Sequence, residues 1–270
     1  MLTKEFLKDA MSTPSCSGHE QMMRAYVMDY AAARGIGARA DAKGNVYLTK
    51  GTLLPGEKFV CLANHMDTVH EDQRMAVASG RKLTIVESEG PDGATVLRAK
   101  GTGIGADDKL GCAIALAILA RIEKGKAVFF VEEEWGMRGS KELDADWFSD
   151  VSFCLSFDSP GRNRSSCSCA GVALYPDSVF RRFIRPIASK HGVTNFNYEP
   201  YTDVVQIRRK TGVPCYNVGN GGCRAHCPDE YLVVEDAQES YALGLELLEA
   251  VRAAAVGFGD GETGAPAATA

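Results

Sequence analysis

Short apolar runs separated by polar segments predict buried strands and helices along this chain. Residues 127–131 (AVFFV) and 151–157 (VSFCLSF) are nearly continuous apolar runs, typical of strands covered on both faces. Residues 109–122 contain LGCAIALAILARI, which predicts a helix that is apolar on most sides and therefore buried. Weaker patterns predict further helices and strands, at residues 17–34, 45–50, 58–64, 82–87, 94–100, 213–218 and 237–254.

The alternation of predicted strands and helices indicates an α/β fold. It favours a mainly parallel, doubly wound sheet flanked by helices. Residues 82–87 and 94–100 alternate around the turn Gly90-Pro91-Asp92-Gly93 and predict a hairpin. In doubly wound sheets, functional groups collect at the carboxyl ends of the strands. Acidic residues and a histidine follow several of the predicted strands, so we expect a site at that edge.

Composition and charge narrow the function classes. The chain has 270 residues, of which 45% are hydrophobic and 24% are charged, and its net charge is −5. This charge gives no electrostatic reason to expect a nucleic-acid partner. No apolar run approaches the roughly 18 residues that would cross a bilayer, and the first residues lack the pattern of a secretory signal. We therefore expect a cytoplasmic protein that does not bind membranes.

The nine cysteines are odd in number and scattered, which is not the pattern of a secreted disulfide framework. The spacings Cys167-x-Cys169 and Cys223-x3-Cys227 could bind a structural metal, but neither contains the CxxC pairs of a zinc ribbon. We expect reduced thiols. Cys223 and Cys227 flank His226, and the sequence gives them no role.

Polar segments with candidate chemistry follow the predicted strands or open the apolar helix. Taken singly, each has an ordinary structural explanation. A lone histidine is usually hydrogen-bonded, an aspartate pair before a helix is usually a cap, and a run of glutamates is usually solvated. The five segments are NHMDTV at 64–69, GADDK at 105–109, EEEWG at 132–136, FDS at 157–159 and RAHCP at 224–228.

Together these segments would bring carboxylates into one cleft. Without a cation, repulsion and desolvation would cost several kcal/mol. Three carboxylates and a bridging hydroxide carry four negative charges, which two divalent cations balance when the two imidazoles are neutral. Imidazole and carboxylate ligands suit Zn²⁺, Co²⁺ or Mn²⁺, with zinc as the default. The sequence therefore predicts a pair of divalent metal ions as the cofactor.

In this order, HMDTV, GADDKLG, EEEWGMRGS, SFDSPG and RAHCPDE resemble the co-catalytic metallopeptidase clan. That clan includes peptidase T, the aminopeptidases with a bridged zinc pair and the glutamate carboxypeptidases. The resemblance covers roughly residues 15–255. GADDK before an apolar helix is especially similar to peptidase T, and Arg-x-His-x-Pro is more similar to the large tetrahedral aminopeptidases. The implied fold is a zinc-peptidase (phosphorylase/hydrolase-like) core.

The resemblance implies a role for each candidate metal ligand. Asp107 would bridge both metals, and the peptide bond between Asp107 and Asp108 would be cis. Glu134 and His226 would complete one metal site. Asp158 would complete the other site together with His65.

The resemblance also implies the catalytic groups. Glu133 would take a proton from a metal-bound water and pass it to the leaving amine, as a general base and acid. Asp67 would hold the second ring nitrogen of His65. A structural salt bridge is the alternative for Glu133, and Glu132 is interpreted as solvated or structural.

Substrate-binding candidates are weaker. Tyr201-Thr202-Asp203 is similar to a Thr-Asp or Ser-Asp position in relatives without a lid; it would line the cleft or cap the next helix, and capping is favoured. Gly221 and Gly222 could offer backbone N–H groups to a substrate or form a simple turn. Arg224 could bind a substrate carboxylate or pair with a ligand.

Relatives carry an inserted lid or dimerisation domain, for which this chain has no room. Only 67 residues separate Asp158 from His226, and the interval before Asp107 holds one short hairpin. We predict one catalytic domain over residues 1–256 and a disordered tail over 257–270.

The predicted function is an aminopeptidase acting on short peptides. An N-acyl deacylase acting on acylated amino acids, a carboxypeptidase and a dipeptidase are the enzymatic alternatives. A metal-binding structural relative is the alternative without catalysis. Self-association could cover the surface left open by the missing lid, but the sequence does not show it.

Overall fold

A mixed sheet forms the centre of the protein in a computed structural model that describes residues 1–90 and 92–254. Within these residues, seven strands pair in the order β1-β2-β6-β3-β7-β11-β8. The strands of the whole structure are β1 (Gly37–Ala40), β2 (Val46–Lys50), β3 (Phe59–His65), β4 (Ile85–Glu89), β5 (Thr95–Ala99), β6 (Gly125–Phe130), β7 (Val151–Ser156), β8 (Ser165–Ser166), β9 (Ser168–Cys169), β10 (Val172–Ala173), β11 (Cys215–Val218), β12 (Gly222–Cys223) and β13 (Tyr231–Val233).

The four central strands of this sheet, β6, β3, β7 and β11, are parallel to one another. The outer pairs β1–β2, β2–β6 and β8–β11 are antiparallel. The central strands are almost completely buried, as expected for a sheet that is covered on both faces. The predicted α/β class, with a mostly parallel sheet flanked by helices, is confirmed.

Helices connect and cover the strands. They are α1 (Lys4–Ser12), α2 (Gln21–Ala32), α3 (Arg74–Ala78), α4 (Ala106–Arg121), α5 (Arg138–Lys141), α6 (Asp177–Val179), α7 (Arg185–Lys190), α8 (Val204–Thr211) and α9 (Val234–Ala254). Short 3-10 turns lie at Glu71–Gln73 and Asp146–Phe148, and a π-helical turn lies at Phe180–Ile184.

Helix α4 is the apolar helix predicted from the sequence. Residues 108–119 are all buried, because α1 and α9 cover the helix on the sides that do not face β3. Its first turn is not helical at Asp107 and Asp108, so regular helix begins at the following lysine. The apolar side of α1, which includes Leu7 and Met11, is also buried. The core therefore extends from the sheet through α4 to the N-terminal helix.

A second sheet, with the order β12-β13-β5-β4, lies beside the start of α4. It contains the predicted hairpin, observed as the antiparallel pair β4–β5. Strand β13 pairs with β5 across more than 130 residues of chain, and this pairing carries the loop 224–230 to the start of α4. The position of His226 follows from this pairing.

All nine cysteines are free thiols. In the described ranges, none of the helices combines the length and apolar character that a membrane crossing needs. Pro91 of the predicted turn and the predicted tail 257–270 lie outside the described residues.

Candidate metal centre

Three neighbouring parallel strands deliver the first site residues to one edge of the sheet. His65 is the last residue of β3, which lies between β6 and β7. Glu133 and Glu134 follow the end of β6, and Asp158 follows the end of β7. Because the strands run in the same direction, their carboxyl ends meet, and the three segments surround one point.

His65 is the buried centre of this group. Its Nε2 atom lies 3.2 Å from Asp107 Oδ1, 3.6 Å from Asp158 Oδ1 and 4.0 Å from Glu133 Oε2. Its Nδ1 atom lies on the other side, 3.1 Å from the main-chain oxygen of Asp67 and 3.3 Å from Asp67 Oδ1. Asp67 thus contacts the ring through two groups and leaves Nε2 directed at the carboxylates.

His226 forms the other end of the cluster. Its Nε2 atom lies 3.2 Å from Asp107 Oδ2 and 3.0 Å from Glu134 Oε1. The two oxygens of Asp107 therefore face two different imidazoles. The peptide bond between Asp107 and Asp108 is cis, as predicted.

These side chains form overlapping groups of three, within which the potential ligand atoms all lie within 4.8 Å of one another. Two of the groups share Asp107, which gives a carboxylate between two clusters. Glu133 belongs to the third group, together with His65 and Glu134. The groups are His65 with Asp107 and Asp158, Asp107 with Glu134 and His226, and His65 with Glu133 and Glu134.

The ionisation of the cluster reflects crowding of carboxylates. Burial raises the pKa of Glu133 to about 10; His65 opposes the shift, and the Asp203 and Asp158 carboxylates add to it. Burial also raises the pKa of Asp158 and of Glu134. Cations placed among these groups would favour their ionised forms and reverse the shifts.

The pKa values of both histidines are raised, which favours their charged forms. Contacts with Asp107 and Glu134 raise the pKa of His226 to about 11. Burial lowers the pKa of His65, but the carboxylates of Asp158 and Asp107 outweigh it and hold that pKa well above its usual range. The pocket therefore favours positive charge at both imidazoles, and a metal ion is one way to supply it.

The residues present fit a pair of divalent cations. Glu134 Oε1 is buried and has no hydrogen-bond partner among the described residues, although His226 Nε2 is close to it. An unpartnered carboxylate oxygen beside an imidazole nitrogen is the arrangement of two ligands that share an ion. Imidazole and carboxylate together suit Zn²⁺, Co²⁺ and Mn²⁺.

Asp67 has a second contact that the sequence did not indicate. Its Oδ1 accepts a hydrogen bond from the backbone N–H of Glu133 at 3.0 Å, and its Oδ2 accepts one from the N–H of Glu134 at 3.1 Å. Ser17 Oγ donates a further bond to Oδ2 at 2.8 Å. Asp67 therefore holds both the loop after β6 and the imidazole of His65 in position. The spacing of these segments along the chain gave no signal for that bond.

The contacts of Glu132 support its interpretation as a structural residue. Its side chain accepts a hydrogen bond from Lys43 Nζ at 2.7 Å. Its backbone has a φ of 52°, which turns the chain so that the next two glutamates enter the cluster.

The contacts of the glycine loop favour the simple turn, and its predicted substrate role stays a prediction. The N–H of Gly221 donates to the Gly161 oxygen at 3.0 Å, and the N–H of Gly222 donates to Asn220 Oδ1 at 2.7 Å. Both groups are thus already engaged within the protein, and the loop is a structural turn. Gly221, with a φ of 93°, occupies the left-handed region that this turn requires.

Arg224 and Tyr201 lie at the surface. Arg224 pairs with Asp229 at 2.7 Å and not with one of the proposed metal ligands; its predicted contact with a substrate carboxylate stays a prediction. The Tyr201 side chain is 74% exposed. The cluster is built without either side chain.

The favoured capping role of Asp203 is wrong. Asp203 occupies the N-cap position of α8, but its side chain makes no capping bond, because its backbone is already helical there. Both of its carboxylate oxygens are buried and lack a hydrogen-bond partner within the part of the chain that the structure describes. Burial raises the pKa of Asp203 to about 8. His65 opposes this rise in the pKa, and the carboxylates of Asp158 and Asp67 add to it. The side chain thus turns inward, toward the acidic cluster.

The chain matches one family model and is similar to part of a curated protein. The model of peptidase family M20/M25/M40 matches residues 61–250. The cytosol non-specific dipeptidase of Escherichia coli (strain K12) is 30% identical over 166 residues, which is 59% of this chain and 33% of that protein. The match thus spans about a third of the length of that curated relative.

Solved structures share the fold. The aminopeptidase PepT of Bacillus cereus ATCC 10987 aligns with a TM-score of 0.70 at 16% identity, over 93% of this chain and 98% of that one. The TET1 peptidase of Pyrococcus horikoshii, which can assemble into a tetrahedron or a large octahedral shell, aligns with a TM-score of 0.67 at 16% identity, over 90% and 98%.

Proposed function

Because this chain belongs to peptidase family M20/M25/M40, we propose that it is a metal-dependent hydrolase of peptide bonds, and more narrowly an aminopeptidase acting on short peptides. One observation carries the proposal. The two oxygens of Asp107 each lie 3.2 Å from a different imidazole, those of His65 and His226. A carboxylate in this position is suited to link two cations that act on the same substrate.

The ligands divide into two sets around Asp107. His65 and Asp158 would hold one cation with it, and Glu134 and His226 would hold the other. We propose Zn²⁺ as the native ion, with Co²⁺ or Mn²⁺ as substitutes that the same donors accept. When bound, the cations act as Lewis acids and make the attacking water more acidic.

Glu133 is the group proposed to move protons. Its Oε2 atom lies 4.0 Å from His65 Nε2, at the edge of the first ligand set, while the adjacent Glu134 faces His226. A buried carboxylate in this position can take a proton from the water and give it to the leaving nitrogen. Asp67 holds the backbone N–H of Glu133, which keeps that carboxylate close to the reacting atoms.

The charged side chains around the site bear on which end of a substrate it would bind. In the described ranges, no Lys or Arg forms an ion pair with Asp107, Glu133, Glu134 or Asp158. A carboxypeptidase needs a cationic side chain beside the metal ligands to bind the α-carboxylate of its substrate. This supports the aminopeptidase over the carboxypeptidase.

A peptide panel tests the proposal. The metal-loaded protein is incubated with matched tripeptides that have a free N-terminus, an acetylated N-terminus or an amidated C-terminus. An aminopeptidase is expected to trim the first and third from the amino end and to leave the acetylated peptide intact. Cleavage of the acetylated peptide alone would indicate a deacylase. Loss of activity on the amidated peptide alone would indicate a carboxypeptidase.

A dipeptidase is the second candidate, because the relative from Escherichia coli is named as one. Including dipeptides of the same residues separates the two, since a dipeptidase cleaves only those. If no peptide is cleaved and metal still binds, the metal-binding structural relative is the better description.

We infer that residues 1–256 form one catalytic domain without a lid insert, because β8 and β11, in the interval between Asp158 and His226, belong to the main sheet. We also propose a cytoplasmic location and self-association of the chain. The assembly described for the TET1 peptidase supports the latter, and the oligomeric mass in solution tests it.

A further inference from the structure

Glu230 is a buried carboxylate that neither the ligand sets nor the proton transfer uses. It lies four residues after His226 and is 1% exposed. Its Oε2 atom accepts hydrogen bonds from His70 Nε2 at 2.6 Å and from the backbone N–H of Gly105 at 2.7 Å. Its Oε1 atom accepts one from the backbone N–H of Asp107 at 3.0 Å. The carboxylate thus holds the main chain of the shared ligand directly.

His70 is fixed on the opposite side of this contact. It lies five residues after His65 and is 8% exposed. Its backbone N–H donates to Thr68 Oγ1 at 3.3 Å, and its ring packs on Gly103, where a Cβ atom would lie only 2.0 Å from His70 Cε1. The imidazole therefore has little freedom to leave Glu230.

The pair joins three segments that each carry a candidate ligand. His70 belongs to the segment after β3, which begins with His65. Glu230 belongs to the loop that carries His226, and it binds the main chain of Asp107.

We propose that Glu230 and His70 are positioning residues that set the spacing of His65, Asp107 and His226, and with it the affinity of the site for metal. This inference rests on the proposed function, since it assumes that these three residues hold cations. Hydrogen-bonded partners of metal ligands typically change metal affinity about 10- to 100-fold when they are altered. The same range is expected here.

Two independent variants and a control test this inference. Glu230→Gln keeps the volume of the side chain but places an NH₂ group against a donor N–H or the imidazole. Gly103→Ala displaces the His70 ring and leaves Glu230 intact. Glu87→Gln is the control, because Glu87 is a surface carboxylate that also has two cationic partners, Lys4 and Lys8.

The readouts are the affinity for Zn²⁺ in competition with a chelator, the absorption spectrum of the Co²⁺ form, and the unfolding temperature with and without metal. Both test variants are expected to bind Zn²⁺ at least ten-fold more weakly and to change the Co²⁺ spectrum, whereas the control matches the wild type in Zn²⁺ affinity and in the Co²⁺ spectrum. His70→Gln keeps a hydrogen-bond donor for Glu230 and should therefore bind Zn²⁺ more tightly than His70→Ala.

Unchanged affinity and an unchanged spectrum in Glu230→Gln and Gly103→Ala would overturn the inference, even if both variants unfold at a lower temperature. That combination would show a purely structural contact. If the wild-type protein itself binds no divalent metal, the proposed function fails first and this inference fails with it.

Discussion

The carboxylate of Asp67 accepts a hydrogen bond from the backbone N–H of Glu133 at 3.0 Å. The same side chain lies 3.3 Å from Nδ1 of His65. One buried residue therefore orients both a candidate metal ligand and the candidate proton carrier. Since the two belong to different strands, Asp67 fixes the geometry between neighbouring strand ends.

Asp67→Asn is predicted to lower kcat by about 10- to 100-fold, in the range for residues that orient metal ligands. The replacement puts an NH₂ group against either His65 or a backbone N–H, so one of the contacts must break. The measurement is kcat together with metal content on the same preparation. Asp9→Asn, at an exposed aspartate that pairs with Lys82, is the control. A kcat within two-fold of the wild-type value would contradict the assigned role.

Glu133→Gln is predicted to lower kcat by at least about 100-fold, because an amide cannot accept the proton of the attacking water. Metal affinity should change little, since the two ligand sets around Asp107 remain. Steady-state kinetics and metal titration check both parts. The adjacent Glu132→Gln is the matched control, since Glu132 pairs with Lys43 outside the cluster. Substantial turnover by Glu133→Gln would remove the proposed base.

The N-terminal helix should show a pH-dependent attachment. Hydrogen bonds from Lys4 and Lys8 on α1 lower the pKa of Glu87 on β4 to about 2. A carboxylate with a lowered folded-state pKa contributes stability above its unfolded pKa of about 4.5, and this contribution is lost as the pH falls toward 2. Glu87→Gln should therefore lower the unfolding temperature slightly at pH 6, because the pair is partly exposed.

The difference between this variant and the wild type is expected to shrink as the pH falls from 5 to 2.5. Thermal unfolding at several pH values measures it. A gap that stays constant over this interval would show that the ion pairs contribute nothing to stability.

The strand-end part of the site could be predicted because its signals are local. The apolar runs before His65, Glu133 and Asp158 define buried parallel strands, and the edge where such strands end is fixed by their direction. The position of Asp107 could be predicted in the same way, because it lies at the start of the apolar helix. These features need no knowledge of distant contacts.

The parts that could not be predicted depend on contacts between distant segments. Strands β12 and β13 have two and three residues, too few for a periodic signal, and β13 pairs with β5 far earlier in the chain. The bond between His70 and Glu230 spans 160 positions. Asp203 before a helix has the local pattern of a cap, and only the packing shows that its side chain turns inward.

Metal stoichiometry tests the central claim most directly. Metal-free protein is titrated with Zn²⁺, and the ions bound per chain are counted for the wild type and for Asp107→Asn. The shared carboxylate predicts two ions per wild-type chain and a weakened affinity for both in the variant. The absence of bound Zn²⁺ in the wild type, or unchanged binding in Asp107→Asn, would contradict it.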